Sequence, residues 1–151
     1  MPDFDPAAAH RFFSAHCFNA AWELIDQPER TPAENEQMIQ RTLASLWHWS
    51  QREDVTPSHL SIGYWQAARV YALAGETDNA RKYAALCLDI TPKEDLFCLG
   101  YAHEAMARAE LLAQRVDSAQ THLAQARDLA GRIAKAEDRQ LLEDDLNSLE
   151  P

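Results

Sequence analysis

Glycine is scarce in this chain, and so are long apolar runs. Four glycines and seven prolines among 151 residues leave long stretches rich in Ala, Leu, Gln, Arg and Glu. These residues favour helix, and the period-two alternation typical of a β-strand is nowhere sustained. We therefore predict an all-α protein. No apolar stretch approaches the ~18 residues that indicate a membrane-spanning helix, so we expect no membrane insertion.

The first residues, MPDFDPAAAHRFF, lack the basic segment and apolar core of an export signal. We therefore expect a cytoplasmic protein. The three cysteines are odd in number and form no C-x-x-C motif, which favours reduced core residues over a disulfide framework or a zinc site.

Cationic side chains are also few, since 14 Lys and Arg oppose 24 Asp and Glu to give a formal net charge of −10. Proteins bind nucleic acid largely through cations that neutralise phosphates, so we expect no nucleic-acid partner, and an anionic membrane surface is equally disfavoured. Residues 137 to 151 hold six carboxylates against Arg139 alone. A solvated outer face explains this run, and an acidic tail that docks on a partner is the alternative.

The sequence motifs of common enzymes are missing. There is no phosphate-binding G-x-x-x-x-G-K-[ST] loop, no H-E-x-x-H zinc motif and no G-x-S-x-G nucleophile elbow. Six histidines are scattered, and no two have the i, i+4 spacing that places both on one helix face. We expect no cofactor and no metal, and the balance favours a protein without catalytic activity.

Three Thr-Pro pairs mark the starts of helices. Thr31, Thr56 and Thr91 can each cap free backbone N–H groups, and the proline that follows lacks the N–H that would stay unpaired. Glu34 and Glu94 complete T-x-x-E capping boxes. We predict about seven helices joined by short connections, at roughly 6–26, 32–52, 57–74, 77–90, 93–114, 117–136 and 138–149.

An internal repeat relates two segments of the chain. LAGETDNARKYAALCLDI, residues 73–90, aligns with LAQRVDSAQTHLAQARDL, residues 112–129, at an offset of 39. Each segment follows another predicted helix, so the repeating unit is a helix pair. Ala80, Ala84 and Cys87 recur at helical spacing, and we predict that these small residues form the seam between the paired helices.

With Gly75 as the turn between two helices, residues 61 to 94 resemble a tetratricopeptide repeat (TPR). The family's pattern falls on Tyr64, Ala67, Ala68, Tyr71, Ala80, Ala84, Cys87 and Pro92, and departs at Ala67, Ala84 and Cys87. The resemblance implies antiparallel helix pairs stacked as a short right-handed superhelix in a single domain. That domain comprises a degenerate helix pair at 10–52, repeats at 57–92 and 93–133, and a capping helix at 137–149. The whole chain also resembles a group of bacterial helical-repeat proteins without assigned function, and this resemblance supplies no mechanism.

In TPR stacks the first helix of each pair lines the concave side. The resemblance places Trp65 and Arg69 there, together with Tyr101, Glu104 and Arg108 in the next repeat. An Arg can bind a carboxylate through two hydrogen bonds while an aromatic ring holds an apolar neighbour. We therefore expect a non-catalytic scaffold that binds a protein or peptide in this groove, and the two arginines would suit an acidic one. The alternative is structural, with Arg69 paired to Glu104 and Trp65 packed against the second helix.

The segment LASLWHWSQRE supports a different function. Trp47 and Trp49 lie two residues apart, about 200° around a helix, so they face different ways. Leu43 and Leu46 favour Trp47 for the core, which leaves Trp49 and His48 toward a flank. The alternative is that the first helix covers Trp49. A pocket near Trp49 and Trp65, with His48 and Glu104 as acid or base, indicates a protein that binds or processes a small molecule. Pairing of end helices between copies, giving a homo-oligomer, is a third hypothesis.

Overall fold

The computed structural model describes residues 3–149, so Glu150 of the acidic run and Pro151 lie outside the described residues. Within that range the chain forms seven α-helices and no strand, which confirms the all-α prediction. The helices are α1 (Pro6–Ile25), α2 (Pro32–Ser50), α3 (Pro57–Leu73), α4 (Thr77–Ile90), α5 (Leu96–Leu112), α6 (Val116–Arg132) and α7 (Ala136–Leu149). None of these seven has the length and apolarity needed to span a bilayer.

Two of the three Thr-Pro pairs begin helices as predicted. The Thr31 side chain accepts from the backbone N–H of Glu34, whose carboxylate accepts from the N–H of Thr31 in return, so the capping box is complete. Thr56 forms an equivalent box in which the His59 ring replaces the carboxylate. Both boxes satisfy N–H groups that have no partner inside the helix.

The third capping box, Thr91 with Glu94, is wrong. Thr91 ends α4, and its hydroxyl donates to the Cys87 carbonyl at 2.5 Å. The next helix begins at Leu96 instead of residue 93, because Asp95 is its N-cap and accepts from the N–H of Cys98. Thr-Pro marks the boundary correctly here, but Thr91 closes the preceding helix and does not open the next one.

The backbone repeats at the predicted offset of 39. Gly75 and its equivalent Gln114 both have positive φ, 77° and 60°. In each turn the N–H of the next residue donates to the carbonyl five residues earlier. Glu76 donates to Tyr71, and Arg115 donates to Glu110. This is the hydrogen-bond pattern by which a left-handed residue closes a helix. The two helix pairs α3/α4 and α5/α6 are therefore built alike.

Neighbouring helices pack as pairs, α1 with α2, α3 with α4 and α5 with α6, and the first helices α3 and α5 also touch each other. Ala80, Ala84 and Cys87 are each fully buried, as the seam predicts. The terminal helix α7 packs on α5 and α6 through Leu142 and Leu146, which are also fully buried. This stacking leaves α1, α3, α5 and α7 to share one side of the protein.

The prediction that Trp47 lies near the core and Trp49 toward a flank is wrong. Trp47 is 56% exposed, whereas Trp49 stacks on His59 at 4.6 Å between ring centroids and lies under the Arg52 guanidinium. The buried residues of α2 are Met38, Ile39, Thr42 and Ser45. Continuing that stripe by four residues leads to Trp49 and leaves Trp47 on the opposite face.

A candidate binding cleft between the first helices

An open cleft of about 300 Å³ lies where α1, α3, α5 and α7 meet, and we call it the aromatic cleft. Five of its ten lining side chains are aromatic, and Asp145 is its one formally charged residue. Its lining residues are Phe18, Trp22, Ser61, Ile62, Trp65, Phe97, Cys98, Tyr101, Leu141 and Asp145. The cleft therefore offers a nearly continuous apolar wall to a ligand.

Trp65 is the central ring of this wall. Its centroid lies 5.8 Å from that of Trp22 on α1 and 5.3 Å from that of Tyr101 on α5, the latter in an edge-to-face arrangement. Phe97 meets Tyr101 in the same way at 5.1 Å. Such contacts fix the orientation of each ring, so the wall is held in place before any ligand arrives.

Glu104 anchors the Trp65 ring at its polar edge. The indole Nε1 donates to Glu104 Oε2 at 2.9 Å, and Arg108 donates to Glu104 Oε1 through Nε at 3.0 Å and Nη2 at 2.6 Å. Glu104 is completely buried, so these contacts replace its lost hydration. We call Glu104, Arg108 and Trp65 the anchored triad.

Arg69 lies beside the anchored triad without joining it. Its guanidinium carbon is 5.9 Å from the centroid of the Trp65 ring, and its Nε is buried with no hydrogen-bond partner among residues 3–149. Burial, and after it the charge of Arg108, lowers the pKa of Arg69, although an arginine stays charged at neutral pH. A buried donor without a partner is costly, so the Nε of Arg69 is a polar group that the contacts of the described residues leave unexplained.

Asp145, the charged residue that lines the aromatic cleft, comes from the acidic C-terminal run. Tyr101 donates its hydroxyl proton to Asp145 Oδ2 at 2.6 Å. Burial, followed by this hydrogen bond to a carboxylate, raises the pKa of Tyr101 far above its usual range. Asp145 therefore faces inward and holds α7 against α5, whereas the sequence indicated a solvated outer face. No local signal distinguishes it from its acidic neighbours.

The structure brings together five of the seven predicted site residues: Trp65, Arg69, Tyr101, Glu104 and Arg108. The carboxylate of Glu104 pairs with Arg108, four residues away on the same helix, and not with Arg69 as the structural alternative proposed. Gln66, the residue after Trp65, is fully buried and donates to the Phe18 carbonyl on α1.

His48 and Trp49 lie elsewhere. His48 packs at the far end of α2 beside His10 and Phe13, with ring centroids 5.1 and 5.4 Å away. Trp49 lines a separate cavity of about 150 Å³, which shares only Phe18 and Ile62 with the aromatic cleft. His48 and Glu104 therefore do not face a common cavity in the described structure, and they form no acid–base pair.

Two histidine pairs join helices in a way that sequence spacing does not reveal. His10 on α1 meets His48 on α2 with 2.8 Å between their Nδ1 atoms, and His103 on α5 meets His122 on α6 at 2.9 Å. Such short contacts need one nitrogen to donate and the other to accept, so neither pair can hold a proton on both facing nitrogens. Among residues 3–149, no group of three or more His, Cys, Asp and Glu side chains could hold a metal ion.

Acid is expected to destabilise the protein through the His103–His122 pair. Burial, and then the charge of His122, lowers the pKa of His103 to about 4, and burial also lowers the pKa of His122. The unfolded chain therefore binds more protons than the folded one below about pH 6.5, so stability is complete above that pH and is lost as the pH falls toward 4. Allowing for its partial exposure, we expect His103 to account for on the order of 1 kcal/mol.

Thermal melts at pH 7.5 and pH 5.0 check this expectation. The decrease in Tm on acidification should be smaller for His103→Gln than for the unaltered protein. For His16→Gln, which replaces an exposed histidine, the decrease should equal that of the unaltered protein. Equal decreases in all three proteins would show that the pair does not carry the pH dependence.

Comparison with protein-family models, with curated proteins and with solved structures found no match for this chain. Its function therefore has to be argued from the arrangement of the cleft. That arrangement combines a preformed apolar wall with Arg69, which lies beside Trp65 and whose Nε has no hydrogen-bond partner in the described residues.

Proposed function

We propose that this protein is a non-catalytic, TPR-like helical scaffold of one domain that binds a segment of a partner protein in the aromatic cleft. The observation that carries the proposal is that Trp65, which lines the apolar wall, lies 5.9 Å from the guanidinium carbon of Arg69, whose Nε has no hydrogen-bond partner among residues 3–149. The bound segment places an apolar or aromatic side chain against Trp65, and a nearby carboxylate binds Arg69.

The apolar side chain supplies most of the affinity. Interface energy is concentrated in a few anchors that fill desolvated pockets, and the cleft has the shape and composition to receive one such anchor. Trp22, Trp65 and Tyr101 are already held by their neighbours, so little side-chain freedom is lost on binding.

The carboxylate supplies specificity through Arg69 alone. Arg108, the second arginine of the predicted groove, already makes two hydrogen bonds to Glu104. Recruiting it for a ligand would leave the buried Glu104 without its partner, which is unfavourable. A single free guanidinium selects one carboxylate near the anchor and does not require a strongly acidic segment.

Selection from a random peptide library displayed on phage tests the proposal. Selected peptides should share an aromatic or long aliphatic residue close to an acidic one. Ile62→Glu, at a cleft residue that is 40% exposed, should weaken their binding about ten-fold or more, because it places a carboxylate against the apolar wall. Leu112→Glu is the matched control, since Leu112 is 38% exposed and lies outside the cleft.

Arg69→Gln tests the proposed carboxylate contact separately from the contact with the apolar wall. It should weaken binding of the selected acidic peptide but leave the affinity of the same peptide with Asn or Gln at the acidic position unchanged. Selected peptides that bind Ile62→Glu as tightly as the unaltered protein would contradict the cleft as the binding site.

A small-molecule ligand is the second candidate, because a cleft of about 300 Å³ lies at the lower limit of typical ligand pockets. The same chemistry would then select an aromatic carboxylic acid. Calorimetric titration with indole-3-acetate distinguishes a small-molecule ligand from a peptide. The peptide proposal predicts much weaker binding of indole-3-acetate than of the selected peptide.

A further inference from the structure

The largest group of exposed aromatic side chains lies far from the cleft, at the outer ends of α1 and α2. Phe12 is 58% exposed, Phe13 42% and Trp47 56%, and Phe4 at the edge of the group is 78% exposed. We call these four residues the N-terminal aromatic patch. A patch of this kind is comparable to the largest apolar patch on a typical monomer, and such patches are often functional.

The patch is held together by its own ring contacts. Phe12 and Phe13 meet edge-to-face with centroids 5.1 Å apart, and Phe12 stacks on His16 at the same separation. The ring centroids of Trp47 and His10 are 5.3 Å apart. The ring of His48 contacts both Trp47 and Phe13. The surface is therefore preformed, and the aromatic composition with few charges is that of an interface core.

The distribution of charge favours a second copy of this chain as the partner that binds the patch. The chain carries a net charge of −10, so two copies repel one another over most of their surfaces. The helical segments of the patch, residues 6–22 and 37–52, contain no Asp or Glu. The nearest carboxylates are at the edges, where Asp3 and Asp5 flank Phe4 and where Glu53 and Asp54 line a cavity with Ala7, His10 and Arg11. Asp5 lies just before the first segment, and its carboxylate accepts from the N–H groups of Ala7 and Ala8. Asp54 is paired with Arg52, so two copies that meet through the rings bring few unpaired carboxylates together.

The area is adequate for such a contact. Aromatic side chains bury about 150–250 Å² each, so the exposed parts of four rings amount to roughly 400–500 Å² per copy. A standard interface takes about 800 Å² from each partner, and the rings would supply more than half of that. We propose that the patch is the interface of a two-fold symmetric homodimer, in which the same face is used by both copies.

Sedimentation velocity from micromolar to submillimolar concentration tests this inference at pH 7.5. We expect a dimer for the unaltered protein and a monomer for Phe12→Ser combined with Trp47→Ser, with the same helicity by circular dichroism. Leu112→Ser combined with Val116→Ser is the matched control, because both residues are exposed and lie outside the patch. That control should dimerise normally.

Arg11→Glu removes none of the rings and provides a second test. It introduces a carboxylate into the acid-free segment, so it should weaken the dimer about ten-fold or more at low salt and less at high salt. A monomer at every concentration, a dimer that persists in Phe12→Ser/Trp47→Ser, or an open-ended series of larger species would each overturn the proposal. Peptide binding in the cleft is measured separately, so either proposal can fail alone.

Discussion

Replacing Glu104 by alanine is expected to destabilise the protein by about 3–5 kcal/mol, because it leaves the guanidinium of Arg108 without its carboxylate in a largely buried position. The indole N–H of Trp65 also loses its acceptor. The charges of Arg69 and Arg108, which already repel each other, would also lose the compensating charge of Glu104. Urea unfolding followed by circular dichroism gives the free energy of unfolding directly.

Two control variants locate the cause. Glu23→Ala removes a carboxylate that is 75% exposed and pairs with Arg41 at the surface, so it should change stability little. Glu104→Leu combined with Arg108→Met removes both charges of the buried pair and should recover much of the loss. If Glu104→Ala unfolds at the same urea concentration as the unaltered protein, the anchored triad does not stabilise the fold.

Leu142→Ala is expected to loosen α7 from the rest of the protein. Leu142 is fully buried, and it packs so tightly on α5 that a Cβ built on Gly100 would lie 2.5 Å from its Cδ2. Truncating a buried leucine costs about 2–5 kcal/mol, since it removes apolar burial and leaves a cavity. The hydrogen bond from Tyr101 to Asp145 should weaken as well, because it joins the same two helices.

Hydrogen exchange on α7, measured with the global stability, checks this expectation. Amides of α7 should exchange faster in Leu142→Ala, whereas those of α3 and α4 should keep most of their protection. Leu141→Ala is the matched control on the same helix, because Leu141 is 54% exposed. Unchanged protection of α7 in Leu142→Ala would mean that other contacts hold the helix.

Much of the fold is encoded locally and could be predicted from the sequence. The Thr31 and Thr56 caps, the turn at Gly75 and the seam of Ala80, Ala84 and Cys87 each depend on residues close together in the chain. Thr91 shows the limit of such signals. Its Thr-Pro pair marks a boundary, but only the contact of its hydroxyl with Ser61 on α3 and with the Cys87 carbonyl shows which helix it serves.

Sequence reasoning brought five of the predicted residues together, but only Trp65 and Tyr101 of them line the aromatic cleft. The repeat places Trp65 and Arg69 opposite Glu104 and Arg108, and their convergence in the structure agrees with that offset. The pairing of Glu104 with Arg108 could have been anticipated, because an i, i+4 acid–base pair lies on one helix face. The inward position of Asp145 and the two histidine pairs depend on contacts between distant segments, which periodicity alone does not encode.

Nuclear magnetic resonance of the four tryptophan indole N–H groups during titration with a selected peptide tests the central proposal most directly. Trp22 and Trp65 line the aromatic cleft, whereas Trp47 and Trp49 do not and serve as internal controls. We predict that the resonances of Trp22 and Trp65 shift with a common affinity and that the other two stay in place. Shifts confined to Trp47 or Trp49 would contradict binding in the aromatic cleft.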